Sequence, residues 1–110
     1  MEFGKINEII KNLQAQGLVN PNIGMAVEAV PIKIESMNVH ATAHGVTLEE
    51  AQKYIDTAKI MFEQKNHRNM FLSYDGSATV LVENNRLISA YSRKDFDRSI
   101  LMILEEITNV

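Results

Sequence analysis

From Arg68 to Ser92 the chain reads RNMFLSYDGSATVLVENNRLISAYS, and apolar and polar residues alternate along most of it. A period of two is the mark of strands, because successive side chains point to opposite faces of a sheet. Asp75-Gly76 and Asn84-Asn85 interrupt the pattern. Asp-Gly suits a two-residue type I′ turn, in which both central residues need positive φ, and Asn-Asn carries a weaker form of the same signal. Three strands joined by two tight hairpins follow. Two-residue turns set the register: Ser73 opposite Ala78 and Ala78 opposite Tyr91, Phe71 opposite Val80 and Val80 opposite Ser89. One face then carries Phe71, Ser73, Ala78, Val80, Val82, Leu87, Ser89 and Tyr91. The other carries Met70, Leu72, Tyr74, Ser77, Thr79, Leu81, Ile88, Ala90 and Ser92. Near one end of the first face, Ser73 and Tyr91 flank Ala78. Two hydroxyls beside a small residue make a floor suited to a polar ligand; the alternative is that both are ordinary strand residues.

Elsewhere the apolar period is that of a helix. Phe3, Ile6, Ile10 and Leu13 predict an amphipathic helix over 3–16, stopped by Gly17. Asn20-Pro21 and Gly24 mark a connector. Met25 to Val39 reads as one extended strand or as two short ones broken at Pro31, which cannot donate a ladder hydrogen bond. Thr47-Leu48-Glu49-Glu50 is a capping box. It opens a helix running to about Gln64, with Leu48, Ala51, Ile55, Ala58 and Phe62 as its apolar stripe. That stripe is expected on the Met70, Leu72, Leu81, Ile88 face. Phe96, Ile100, Ile103 and Ile107 predict a last helix, capped by Asp95 or Asp97. The order of elements predicts an α+β fold: an antiparallel sheet of four or five strands with a helix packed on one face, an N-terminal helix and a C-terminal helix. Residues 1–110 are expected to form a single domain, with 1–24 as helix and connector and 25–110 as the core. The face carrying Phe71, Ser73, Ala78 and Tyr91 is expected to be left uncovered by the helix that opens at Thr47, and to hold any site.

Composition narrows the function classes a little. The 110 residues are 45% hydrophobic and 23% charged, ordinary for a globular domain. There is no cysteine, which excludes disulfides and thiolate metal sites. No apolar run reaches the length of a membrane span, so no membrane anchor is expected, and MEFGKINEII lacks the features of a signal peptide. The chain opens directly on a helix, which fits a domain excised from a longer protein. Net charge is −3, mildly against nucleic-acid binding. The distribution matters more than the sum. Acidic residues concentrate on helical faces, while Arg68, Arg86, Arg93, Lys94 and Arg98 concentrate in the second half.

Candidate chemistry centres on His40 and His44, which lie in a loop outside any apolar period. A histidine pair at this spacing binds a metal only on a helix with further ligands. Gly45 argues against a helix there, so neither a metal nor another cofactor is expected. Histidine is instead suited to proton transfer near neutral pH. Arg68 precedes the hairpins, and Arg93 and Lys94 lie just before the last helix, where an anion such as phosphate is favoured. These groups suit metal-independent RNA cleavage. There the ribose 2′-hydroxyl is the nucleophile, and the protein supplies a base, an acid and donors to the phosphate.

The runs MNVHA, HGVTLEEAQKYIDTAKIMFEQ and RNMFLSYDGSATVLVENNRLISAYSRKDFD resemble the small C-terminal domains of bacterial and prophage polymorphic toxins. These belong to the broad barnase–EndoU–colicin–RelE-like nuclease assemblage, and the similarity extends from about Met37 to Ile107. The resemblance implies a ribonuclease toxin of interbacterial competition, with tRNA among its candidate substrates. It implies secretion or delivery as part of a larger protein, action in the target-cell cytoplasm and neutralisation by a cognate immunity protein. It favours His40, Ser73 and Tyr91 as catalytic residues, then Arg68, with Arg93 and Lys94 binding the substrate phosphate. His44 stands where the family pattern has an arginine, and its catalytic role rests on the loop-histidine reading alone. The alternative is a non-catalytic binding module, such as an immunity protein or an antitoxin-type regulatory domain, which the acidic pI of about 5.6 favours. A RelE-like toxin of a toxin–antitoxin pair is a third reading.

Overall fold

A computed structural model of the chain describes residues 3–38, 45–64 and 67–108. Helix α1 spans Phe3–Ala15 and buries Ile6, Ile10 and Leu13. It ends where predicted. Gly17 takes a φ of +74°, the Gly17 N–H donates to the Gln14 carbonyl and the Leu18 N–H to the Leu13 carbonyl, which closes the last turn. Strands β1 (Met25–Glu28) and β2 (Ser36–Met37) are two short pieces, and they lie at opposite edges of the sheet. Helix α2 spans Leu48–Thr57, with the Thr47 hydroxyl accepting from the Glu50 N–H as its N-cap.

The helix does not run on to Gln64. Thr57 donates its hydroxyl back to the Lys53 carbonyl, and Ala58 turns to extended backbone. Ile60–Glu63 then forms strand β3. This strand lies between β1 and β4, and it raises the count to six, against four or five expected. Strands β4 (Arg68–Leu72), β5 (Ala78–Glu83) and β6 (Arg86–Ser92) form the predicted meander, and the order across the sheet is β1-β3-β4-β5-β6-β2. Only the β2–β6 pair is parallel among the paired strands. A 3₁₀ turn over Arg93–Asp95 leads into α3 (Arg98–Thr108). Asp97 caps α3 by accepting from the Ser99 N–H at 2.7 Å.

The fold is α+β, and its sheet carries helices on both faces. On one face Ala51 and Ile55 of α2 pack with Met61, Phe71, Val80, Val82, Leu87 and Ala90. This is the Phe71–Val80 face, not the Met70–Leu72 face expected from the hydropathy pattern. Both faces carry enough apolar residues to bury a helix, so the pattern does not choose between them. On the other face α1 and α3 cover Ala26, Ile60, Phe62 and Leu72, with Met70 and Tyr91 partly buried against them. The open face expected to hold the site is therefore covered.

The β4–β5 register holds, with Phe71 opposite Val80 and Ser73 bonded to Ala78. The β5–β6 register slips by one. Val82 pairs with Leu87 but Leu81 with Ser89, so Ile88 is an extra residue on β6. Beyond that bulge Val80 faces Ala90, Thr79 faces Tyr91 and Ala78 faces Ser92. Tyr91 is thereby turned to the α3 side, and Ser92 takes its place beside Ala78.

Backbone outside the ladders is held by side-chain amides. Asn7 of α1 both accepts from and donates to Ala26, which occupies the outer edge of β1. Gln52 of α2 accepts from the Ile34 N–H and donates to the Ile32 carbonyl. Asn85 donates to the Lys33 carbonyl, so the stretch crossing from β1 to β2 is pinned at two places.

Candidate functional site

The β4–β5 connection is five residues, 73–77, rather than a two-residue type I′ turn. Among described non-glycine residues only His67 and Asn84 have positive φ, so Asp75 does not meet the type I′ requirement. A Gly76 N–H to Ser73 carbonyl bond closes the turn, and Gly76 takes the left-handed conformation with φ +73°. Asp75 organises the loop with its carboxylate. It accepts from the Ser73 hydroxyl at 2.9 Å, the Ser77 hydroxyl at 2.6 Å and the Ser77 N–H at 3.0 Å. These bonds, those from Ser77 foremost, hold the Asp75 carboxyl well below its ordinary range, at about 2.

Ser73 is buried, and its hydroxyl also accepts from the Ala78 N–H at 3.0 Å. Ser73, Ala78 and Ser92 form a row on the α2 face of the sheet. This is the hydroxyl–small–hydroxyl arrangement sought in the sequence, with Ser92 in place of Tyr91. Arg93 continues the ladder by donating its N–H to the Ser77 carbonyl. Its guanidinium passes over the loop, and a Cβ added at Gly76 would stand 3.8 Å from Arg93 Nη1. Arg93 and Lys94 are both exposed. The hairpin end of the sheet thus gathers Ser73, Ser77 and Ser92 hydroxyls with the Arg93–Lys94 pair.

The same end opens into a cleft of about 700 Å³ between α2 and the hairpin. Its walls include Lys53, Tyr54, Lys59, Ser73, Tyr74 and Asp75. Of these only Ser73, and Asp75 as a turn residue, stood out in the sequence. The signal for the cleft is the early end of α2: once the helix stops at Thr57, Lys59 arrives beside the hairpin instead of continuing along the helix.

Arg68 is placed elsewhere. It lies at the opposite end of β4, about 16 Å from Ser73 at roughly 3.3 Å per strand residue. Its Nε donates to Glu83 Oε1 at 3.0 Å across the β4–β5 pair. Tyr91 lies on the α3 face, half-buried against the α1–α3 cluster. His40 and His44 lie outside the described residues. Strand β2 runs parallel to β6, and the Asn38 N–H donates to the Leu87 carbonyl. Among the described residues no group of three or more His, Cys, Asp or Glu is placed to hold a metal ion. No described helix is long and apolar enough to cross a membrane. Compared with known protein families, with curated proteins and with solved structures, the chain matches none of them.

Proposed function

We propose that the chain is a ribonuclease domain that cleaves RNA without a metal ion. In the reaction the substrate's 2′-oxygen bonds to the adjoining phosphorus as the 5′-oxygen leaves. A base takes the 2′-hydroxyl proton and an acid protonates the departing 5′-oxygen, so the products end in a 2′,3′-cyclic phosphate and a 5′-hydroxyl. The observation that supports this reading is the gathering of serine hydroxyls with Arg93 and Lys94 at the hairpin end of the sheet. The Ser73 and Ser77 hydroxyls donate to Asp75 and the Ser92 hydroxyl to Asp95, so the groups left to stabilise a phosphate whose charge grows in the transition state are the Arg93 and Lys94 cations. The reading assigns proton transfer to His40 or His44, and phosphate binding to Arg93 and Lys94. Ser92 replaces Tyr91 as the hydroxyl beside Ala78. Arg68, already paired with Glu83 at the far end of β4, is assigned no part.

In this account the domain is delivered as part of a larger protein, acts in the cytoplasm of a target cell and is neutralised by an immunity protein. Expression in a bacterial host tests it. The wild-type chain should arrest growth and degrade RNA, and His40→Ala should relieve both. A harmless wild-type chain that leaves total RNA intact contradicts the proposal.

One observation favours a second reading, a non-catalytic binding module. The Ser73 hydroxyl both donates and accepts within the hairpin, which is the behaviour of a turn-forming residue. A wild-type chain that is harmless and copurifies with one tight partner supports that reading over the first.

A further inference from the structure

The cleft beside the hairpin holds an arrangement that the cleavage chemistry does not use. Tyr74 is 71% exposed, the most exposed large hydrophobic side chain among the described residues. Its ring borders the cleft, whose volume of about 700 Å³ falls within the range of small-ligand sites. Lys59 places its ammonium 5.9 Å from the ring centroid, and Lys53 lines the same cleft. Three carboxylates also line it against the two ammonium groups, each hydrogen-bonded by neutral donors that leave its charge in place. Glu50 accepts from the Thr47 hydroxyl, Asp56 from the Gln52 amide, and Asp75 from Ser73 and Ser77. Arg68–Glu83 is the one ion pair among the described residues, so neither lysine is paired with a carboxylate. The cleft presents an exposed aromatic ring with the Lys59 ammonium over one of its faces, leaving the other for a base, and a second ammonium, Lys53, on the cleft wall.

That combination is the recognition chemistry of single-stranded nucleic acid, in which a base stacks on an aromatic ring and cations follow the backbone. We propose that Tyr74 is a stacking platform for one nucleobase of single-stranded RNA, with Lys53 and Lys59 holding the adjacent phosphate. The inference rests on the ribonuclease reading and specifies the form of substrate it takes. Ser73 lies both in this cleft and in the hydroxyl row, so the stacked base is a near neighbour of the linkage to be cut. A base-paired duplex keeps its base faces covered and is not a ligand of this platform.

The test is a titration of the full chain with a fluorescein-labelled single-stranded oligoribonucleotide, methylated at every 2′-oxygen so that it cannot be cleaved. Fluorescence anisotropy reads the affinity. Tyr74→Ala should weaken binding about tenfold, and Tyr74→Phe should stay within about twofold of wild type because the ring is kept. Lys53→Ala with Lys59→Ala should lower affinity and flatten its dependence on salt. All four side-chain changes are at exposed positions, and unchanged thermal midpoints check the folds. Equal binding by wild type and Tyr74→Ala overturns the platform and leaves the ribonuclease reading standing. A wild-type chain that binds no oligonucleotide overturns both. If it instead forms a complex with a co-expressed protein, and Tyr74→Ala breaks that complex, the cleft belongs to a protein partner.

Discussion

Asp75 is exposed, yet its carboxylate receives three hydrogen bonds that hold the hairpin loop in shape. Its pKa is lowered from 3.8 to about 2, so these bonds favour the ionised form in the folded state. The sign follows from linkage. The stabilisation is fully present above the unfolded pKa and is lost as pH falls through the folded one. Urea denaturation at successive pH values should therefore show stability falling between about pH 4 and pH 2, and Asp75→Asn should flatten that fall. A pH dependence unchanged by the substitution would show that the three bonds add nothing to stability. Tyr91 carries a second prediction. It faces α3 across the sheet from the Ser73–Ser92 row, so under the proposed ribonuclease function Tyr91→Phe should leave the rate of RNA cleavage unchanged, whereas Arg93→Ala should reduce it. A cleavage assay with matched thermal midpoints separates the two. Ser73 beside Ala78 was legible from alternation alone, because no bulge lies between them. Tyr91 was not, because one extra residue at Ile88 turns every later β6 side chain to the opposite face.

Helix α2 illustrates what periodicity resolves and what it leaves open. Its start is written in Thr47 and Glu50, whose hydrogen bond closes the first turn. Its end is not, because Phe62 continues the helical stripe after Ala58 and equally fits a strand that alternates with Met61. The strand is favoured because β3 gives its backbone partners on both sides and buries Ile60 and Phe62 against α1 and α3. Ile55 is fully buried at the contact of α2 with the sheet. Ile55→Ala should cost about 2–5 kcal/mol, measured by chemical denaturation; a cost near zero would mean that α2 does not pack there. Gly24 marks another contact that hydropathy cannot reveal. A Cβ at this position would run into the Glu63 carbonyl, where the connector passes against the end of β3. Gly24→Ala should destabilise by about 1–3 kcal/mol or more, since the opposing atoms are backbone. Full stability in that variant would contradict the close approach.

The six-stranded sheet lies between α2 on one face and α1 with α3 on the other, and the candidate site sits at the rim where the β4–β5 loop meets the end of α2. The α+β class and the meander were legible because hydrophobic period and turn residues report local structure. The covering of both faces was not, because it depends on a chain that crosses from one sheet edge to the other between Ala29 and Glu35. That crossing is held by Gln52 and Asn85 amides, polar contacts that leave no trace in hydropathy. Such a rim suits a long, flexible substrate better than a buried small molecule, since a strand can lie across hydroxyls, cations and the Tyr74 ring together. The most direct test is incubation of the purified chain with 5′-labelled single-stranded RNA in excess chelator, followed by analysis of the new ends. The account predicts cleavage that persists without metal, leaves 2′,3′-cyclic phosphate and 5′-hydroxyl ends, and disappears in His40→Ala. RNA that stays intact, or products bearing 5′-phosphates formed only when a divalent cation is restored, would contradict it.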